Sequence, residues 1–599
     1  MQIIDGSGLY SKALTQWLRD IAVGSKRGVI VDRNGVEIAS SVSVYDVYVR
    51  PREVVSDTEI ANCLIELTDS KYDELIEKIN KKNMSEVQLA SKLSSDKMQL
   101  VLNQKFPGIY IVEDCIRTYN YDNMLCQLLG FVSSDGNGQS GLELYYNKYL
   151  KGVNGASLVE SDNAGRKLSN SMQYYLEAID GLNLQLTIDA KIQQRVDEIV
   201  YNTMLSTAAT KASALVMNPK NGEILAMSIF PSYNLNEVPR DDITALMNMS
   251  KMSIVTDAYE PGSTFKIITT AIALEEGLTS EYDYFYCSGF RMVNGVKINC
   301  HRRTGHGSQS LGKGLSNSCN CVFMELISRI GINRFYDYLE KFGIIDGYNM
   351  AFPGEGKGIT MPKNIATSAD LYRMGFGQSV ALTPMQLANS VSSIINGGTL
   401  FEPYIVSKIY NKTSTVYTKN PTPIRNVVSD KTATTLNKLL AEVVASGGGK
   451  NAKVEGYNIA GKTGTAQKYE NNAIAQGKYI ASFLGYMPAD DPEYLVLVVI
   501  DEPKGAYYGG VVAAPVAQNI FEAIIEERDI NKYKDVTSEN VANIIVPDLY
   551  GKTLTEAVYE LSMLGLDYLV DDRGSTTVTS QYKSAGSRCA LGDIVLLIF

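Results

Sequence analysis

Strand-forming runs at both ends of a long helical stretch constrain this chain more than anything else in it. Residues 212–227 read as two strands joined by the turn Asn218-Pro219-Lys220-Asn221-Gly222, and further strands are expected at 459–467, 480–487 and 494–501. Between them, residues 308–400 are mostly of helical period. A sheet built from both ends of a segment, with helices between, is an α+β arrangement. At 599 residues there is length for more than one domain and for a large core.

After the first strand pair comes Glu260-Pro261-Gly262-Ser263-Thr264-Phe265-Lys266, followed by an apolar helix over 267–276 that Gly277 stops. Ser263 and Lys266 are three apart, so on a helix they share a face. A lysine desolvated in a pocket can lose its proton and serve as base for a serine nucleophile. Free N–H groups at a helix start also favour a developing oxyanion.

Alone this spacing is weak, because Ser94/Lys97, Ser310/Lys313 and Ser580/Lys583 repeat it. Ser263 is singled out by its companions. Ser318-Cys319-Asn320 and then Lys462-Thr463-Gly464-Thr465 follow in the order of the S-x-x-K, S-D-N and K-T-G set, with Cys319 in the middle place of the second motif. Each has a bland alternative: Ser318 and Asn320 as a helix cap, Lys462–Gly464 as a plain strand end.

Composition narrows the class. A net charge of −10, from 56 basic and 66 acidic residues, argues against nucleic-acid binding. The longest clean apolar run, 494–500, is too short to cross a bilayer, and the first residues are neither a signal peptide nor an anchor. The expectation is either a cytoplasmic protein or one whose anchor precedes residue 1.

The flanks read as separate modules. Residues 7–23 suit an amphipathic helix with Leu9, Leu14, Trp17, Leu18 and Ile21 on one side, and 27–39 a hairpin about Asn34-Gly35. Residues 56–105 read as several short helices, and 107–170 as mixed. A second domain opens near residue 184. Polar residues 527–543 look like a linker. Beyond it, Thr553 and Glu556 predict a capping box, with Ala557, Leu561 and Leu564 as the apolar stripe of a helix in a small βαβ module.

With these motifs in place, the chain resembles the class B penicillin-binding proteins, membrane-anchored D,D-transpeptidases of peptidoglycan synthesis. Beyond the trio, the resemblance rests on residues 27–39, Gly141-Leu142-Glu143, Leu186–Asp189, Gly375-Phe376-Gly377-Gln378 and Thr383–Ala388. The C-terminal module looks like a PASTA domain, a pattern most similar to the sporulation-specific members, with vegetative division enzymes second. The implied layout is an N-terminal pedestal over 1–175, a transpeptidase domain resembling the serine β-lactamases over 176–535, and the PASTA-like domain over 544–599.

The resemblance implies that Ser263 attacks the carbonyl between two terminal D-alanines and that Lys266 takes its proton. Ser318 would relay a proton to the leaving amine, and Asn320 would bond the substrate amide and Lys266. Backbone N–H groups of Ser263 and Thr465 would form the oxyanion hole. Thr463 and Thr465 would bind the terminal carboxylate, Gly464 would leave room for substrate, and Lys462 would add positive charge. No cofactor is needed for this acyl transfer. No glutamate is assignable as a base for activating water, so β-lactams would stay bound. Implied partners are stem peptides, β-lactams and a membrane-embedded glycosyltransferase, and the implied place is the extracytoplasmic face of the membrane. Rival readings are a silent penicillin-binding scaffold or sensor and a β-lactamase-like hydrolase.

One cluster lies outside this scheme. Four of the eight cysteines and both histidines fall between residues 287 and 321. Cys287, Cys300, His301 and His306 match the donor types of a structural zinc site, with Asp283 as an alternative to His306. A Cys287–Cys300 disulfide and two buried thiols are the competing readings. Cys319 and Cys321 read as packing residues.

Overall fold

A computed structural model describes the chain except residues 1–17, 161–172, 349, 353, 471–472, 531–543, 572–573 and 590–593. It divides into two compact units, residues 1–452 with 459–527, and residues 453–458 with 528–599.

The amino-terminal part of the larger unit is built on a seven-stranded sheet. Its order is Thr415–Thr418, Val406–Tyr410, Asn183–Leu186, Ile30–Val31, Glu37–Val49, Val87–Leu93, with Ile109–Tyr119 also pairing Glu37–Val49. The expected hairpin forms. Gly35 takes φ +87°, and Asp32 Oδ1 accepts from the backbone N–H of Asn34 (2.7 Å) and Val36 (2.8 Å). The other Asp32 oxygen accepts from Ala190 N at 3.1 Å, fastening the hairpin to the helix Ala190–Thr207.

Three helices appear within 56–105 as expected, Asp57–Leu67, Tyr72–Ile79 and Ser95–Asn103, but Val87–Leu93 between them is a strand. Its Leu89 and Leu93 close a small core with Ile60, Leu64, Leu75 and Ile79, and that packing outweighs local helical period. The helix expected over 7–23 is also corrected. Leu18–Val23 pairs antiparallel with Gly155–Glu160 as a strand, whereas Leu9, Leu14 and Trp17 lie outside the described residues.

Two segments far apart in sequence meet in a buried ion triad. Glu143 accepts from Arg27 Nε at 2.6 Å and Arg117 Nε at 2.7 Å, with all three side chains at 7% exposure or less. Arg27 also donates to the carbonyls of Gly136 and Glu143, so its charge is removed from water only where acceptors surround it. The sheet draws strands from both sides of residue 175: Ile30 lies parallel beside Leu184, and Val406 opposite Leu186.

The second sheet is the one anticipated from the two ends of the helical stretch. Five antiparallel strands run Ile224–Phe230, Lys211–Met217, Tyr494–Asp501, Ala473–Met487, Ala460–Glu470. Ile224–Phe230 is buried along its whole length, under the helix Ala190–Thr207. Ala460–Glu470 is the edge strand, and the turn Gly262–Phe265 packs against it. Among the described residues no strand pairs with its outer side, which borders the nucleophile motif.

In the smaller unit the capping box forms at the start of Leu554–Met563: Thr553 accepts from Glu556 N, and Glu556 from Thr553 N. Strands Asp567–Asp571, Ile594–Ile598 and Ser580–Tyr582 make its sheet, the first pair parallel. Ala557 and Leu561 are in the core as expected. Leu564 is exposed, because the helix ends at Met563 and Leu566 takes the core position instead.

Candidate active site

Ser263 does not sit in the α-helix itself. Gly262–Phe265 is a 3-10 turn, and the α-helix runs Lys266–Glu275 with Ile267, Ile268, Ala271 and Ile272 buried. Gly262 needs its φ of +55° to enter the turn, and its N–H bonds Gly377 O at 3.0 Å.

The three motifs converge. Ser263, Ser318, Asn320, Thr463 and Thr465 line one cleft of about 450 Å³, together with His301, Phe376, Gln378, Gln467 and Tyr479. Ser318 Oγ donates to Ser263 Oγ at 2.8 Å. Lys266 Nζ donates to Ser318 O (2.7 Å), Ser318 Oγ (3.1 Å) and Asn320 Oδ1 (2.8 Å). Among the described residues Lys266 makes no hydrogen bond to Ser263, so the link between them passes through Ser318.

Three acceptors satisfy an ammonium's three N–H donors. To act as a base Lys266 has to lose one of them, and its surroundings favour that loss. It is fully buried, and burial brings its pKa down to about 8, while the sulfur groups of Cys300, Cys319 and Cys321 act in the opposite sense. Lys462 is equally buried, and burial, with Lys266 adding to it, pulls its pKa well below the usual ammonium value. The expected positive charge at Lys462 is thus weakened. Its Nζ turns to Thr463 O at 3.2 Å.

The bland readings fall differently from motif to motif. Ser94 and Ser310 are ordinary helix caps, each accepting from the backbone N–H of the lysine three residues on. Ser318 is no cap: the N-cap position of the helix Asn320–Lys341 belongs to Cys319, without a side-chain bond. Instead Ser318 holds φ +50°, a strained conformation that aims its side chain at Lys266 and Ser263.

On the edge strand Thr463 and Thr465 both face the cleft, and Thr465 Oγ1 accepts from Gly509 N at 2.9 Å. Gly464 points the other way. A Cβ there would come within 2.3 Å of Ser482 Oγ and 2.9 Å of Pro261 O. This corrects the sequence expectation: the glycine lets the nucleophile turn approach the strand, and does not leave room for substrate.

The cysteine–histidine set is also rearranged. Sulfur atoms of Cys287, Cys300, Cys319 and Cys321 lie within 4.8 Å of one another, all buried, whereas His301 and His306 group with Cys300 alone. Cys287 and both histidines are not gathered in one donor set, and Asp283 is engaged by Ser280, Thr279 and Arg329. Cys287 and Cys300 are free thiols, which disposes of the disulfide reading, and the Sγ atoms of Cys300 and Cys319 are 4.0 Å apart. S–H groups of Cys319 and Cys321 lower the Cys300 thiol, while Cys319 is pushed up to about 12. Sequence reasoning missed Cys319 and Cys321 because their spacing about Asn320 looks like helix packing. Only the loop carrying Cys287 and Cys300 brings partners to them.

Comparison with known proteins matches the chain to three domain families. Residues 212–522 match the penicillin binding protein transpeptidase domain, 22–186 the penicillin-binding protein dimerisation domain, and 544–599 the PASTA domain. Stage V sporulation protein D of Bacillus subtilis (strain 168) is 34% identical over 605 residues, covering 99% of this chain and 93% of that protein. Peptidoglycan D,D-transpeptidase FtsI of Escherichia coli (strain K12) is 29% identical, covering 88% of each. The crystal structure of Penicillin Binding Protein 2X from Streptococcus thermophilus shares the fold, with a TM-score of 0.73 at 22% identity, over 97% of this chain and 91% of that one. A matched transpeptidase domain over more than half the sequence, together with a relative of that identity along nearly its full length, establishes that the chain belongs to the class B penicillin-binding proteins.

Proposed function

We propose that the protein is a serine D,D-transpeptidase that cross-links peptidoglycan stem peptides through an acyl-enzyme on Ser263. The observation that carries this reading is the unbroken chain of contacts from Ser263 through Ser318 to a buried, carboxylate-free Lys266 in a cleft lined by Thr463 and Thr465.

Ser263 Oγ attacks the carbonyl of the penultimate D-alanine, and its proton passes by way of Ser318 to the unprotonated Lys266. The developing oxyanion is held by the backbone N–H groups of Ser263 and Thr465. Ser318 returns the proton to the departing D-alanine amine, and an amine of a second stem peptide then takes the acyl group. Thr463 and Thr465 hold the terminal carboxylate of the donor. Among the described residues no carboxylate lines the cleft, so no glutamate is placed there to activate water, and a β-lactam acyl group is expected to persist.

Incubation with a fluorescent penicillin tests this. Durable covalent label that disappears in Ser263→Ala is expected; no label marks a silent scaffold, and rapidly lost label a hydrolase. The likeness to a sporulation protein favours a role in spore cortex synthesis over division. Removing the protein is then expected to spare vegetative growth and abolish cortex cross-linking. An anchor ahead of residue 1, an extracytoplasmic position and a membrane-embedded glycosyltransferase partner complete the reading by analogy with the family. No helix of the described residues is long and apolar enough to span a membrane.

The thiol cluster is part of the proposal. Tetrahedral zinc with four sulfur ligands at about 2.3 Å requires sulfur–sulfur separations of about 3.8 Å, and the 4.0 Å between Cys300 and Cys319 fits. Cys287, Cys300, Cys319 and Cys321 therefore form a better donor set than one including His301 and His306. When bound, the ion supplies cross-linking of the 287–300 loop to the Ser318 segment and takes no part in acyl transfer. Elemental analysis of protein purified without chelator is expected to give about one zinc per chain, and none in Cys287→Ser.

A further inference from the structure

Three residues ahead of the nucleophile lies a carboxyl group for which acyl transfer has no use. Glu260 Oε1 accepts from Ser379 N at 2.8 Å, and its Oε2 is sealed from water with no hydrogen-bond partner among the described residues. Ser379, itself at φ +57°, ends the loop Gly375–Ser379, and two residues of that loop, Phe376 and Gln378, line the cleft with Ser263.

The same two segments meet backbone to backbone. Gly262 N donates to Gly377 O at 3.0 Å, and Tyr259 and Leu382 exchange both of their backbone bonds at 3.1 and 3.0 Å. A Cβ at Gly377 would approach Gly262 O to 2.0 Å, so any displacement of the loop is felt at the turn that carries Ser263. Glu260 adds a side-chain tie between these two backbone pairings.

We propose that Glu260 is a positioning residue for acylation: by holding Ser379 it clamps the Gly375–Ser379 loop onto the Ser263 turn and sets where Phe376 and Gln378 stand in the cleft. The proposal rests on Ser263 being the acylated residue. A carboxylate with one sealed, unpaired oxygen is far costlier than the neutral acid. Burial accordingly raises the Glu260 pKa to about 7, opposed only by the Ser379 N–H; no charged side chain contributes, and the adjacent Tyr259 phenol is held neutral by its own burial. The Ser379 N–H bond is itself stronger to the ionised group, but the unpaired charge on Oε2 is relieved only by admitting water, so the seam stays closed while the carboxyl carries its proton. Above that range the ionised group draws water into the seam and loosens it.

The test compares acylation by fluorescent penicillin and by a D-Ala-D-Ala peptide ester in wild type, Glu260→Ala and Glu260→Gln between pH 6 and 8.5. Glu260→Ala is expected to acylate about 10-fold to 100-fold more slowly, the scale of a small misplacement of reacting groups. Glu260→Gln keeps an acceptor for Ser379 N, so it matches wild type at pH 6, and its rate relative to wild type rises as pH passes about 7. Titration of Lys266 affects both proteins and cancels in that ratio. Normal acylation by Glu260→Ala, or a ratio that stays flat with pH, overturns the proposal. If Glu260→Ala does not fold, the pH dependence of the ratio decides alone. A wild-type protein that takes no label at all would instead overturn the reading of Ser263.

Discussion

The larger unit buries cations in two places and treats them in opposite ways. In the amino-terminal part, Arg27 and Arg117 share Glu143 and further carbonyl acceptors; burial lowers the Arg27 pKa but Glu143 opposes it, and the triad holds two distant segments together. In the cleft, Lys266 and Lys462 are at least as deeply buried, yet no carboxylate pairs with either, and the pKa of each is brought down. Compensated charge marks a scaffold, and uncompensated charge marks a group meant to change its protonation state. The choice of cation agrees with this: arginine cannot surrender its proton, whereas a buried lysine can.

This contrast can be broken at either end. The largest expected effect is that of Lys266→Ala, which removes the base and should slow acylation by about 10²- to 10⁴-fold. Stopped labelling reactions measure this, and a near-normal rate would place the base elsewhere. Next is Glu143→Ala, which leaves two buried guanidinium groups without their carboxylate and should cost about 3–5 kcal/mol. Thermal unfolding would register the loss, while the label taken up per folded molecule stays unchanged.

A smaller effect sharpens the cleft side. Only unprotonated Lys266 can accept a proton, so in Glu260→Gln, where the clamp does not titrate, acylation should rise with pH and level off above about 8. Each pH unit below that point lowers the rate about tenfold. A pH-rate profile with no inflection between 7 and 9 would contradict the lowered pKa. The smallest effect belongs to the other unit: Thr553→Ala deletes one half of a capping box and should destabilise that unit by about 1 kcal/mol, with no change in penicillin labelling.

Much of this is legible in the sequence because it depends on short-range pattern. The strands expected over 459–467, 480–487 and 494–501 form, Asn34-Gly35 makes its turn, and the Thr553–Glu556 capping box follows from spacing alone. The order of the three motifs is enough to place Ser263, Ser318 and Thr463 in one cleft.

What escapes depends on contacts that no local pattern encodes. Val87–Leu93 is a strand because Glu37–Val49 offers it an edge, and Leu18–Val23 because Gly155–Glu160 does. Gly464 reads as a gap for substrate in the sequence, but Pro261 and Ser482 occupy that side. The four-thiol set requires the loop from Cys287 to Cys300 to fold back on the helix that starts at Asn320. Sequence spacing instead favours the two histidines, which stand closer to Cys300 along the chain.

The strand exchange about residue 175 has a practical corollary. Ile30–Val31 and Val406–Tyr410 flank Asn183–Leu186 on its two sides, so neither the pedestal nor the catalytic region owns that sheet. A fragment begun at residue 176 would carry a bare row of backbone donors and acceptors where Ile30 and Val31 belong, an invitation to aggregate. The helix Ala190–Thr207 would lose the Asp32 carboxylate from its first turn in the same stroke. Any version of the enzyme meant for inhibitor screening should therefore retain the chain from the Arg27 segment onward.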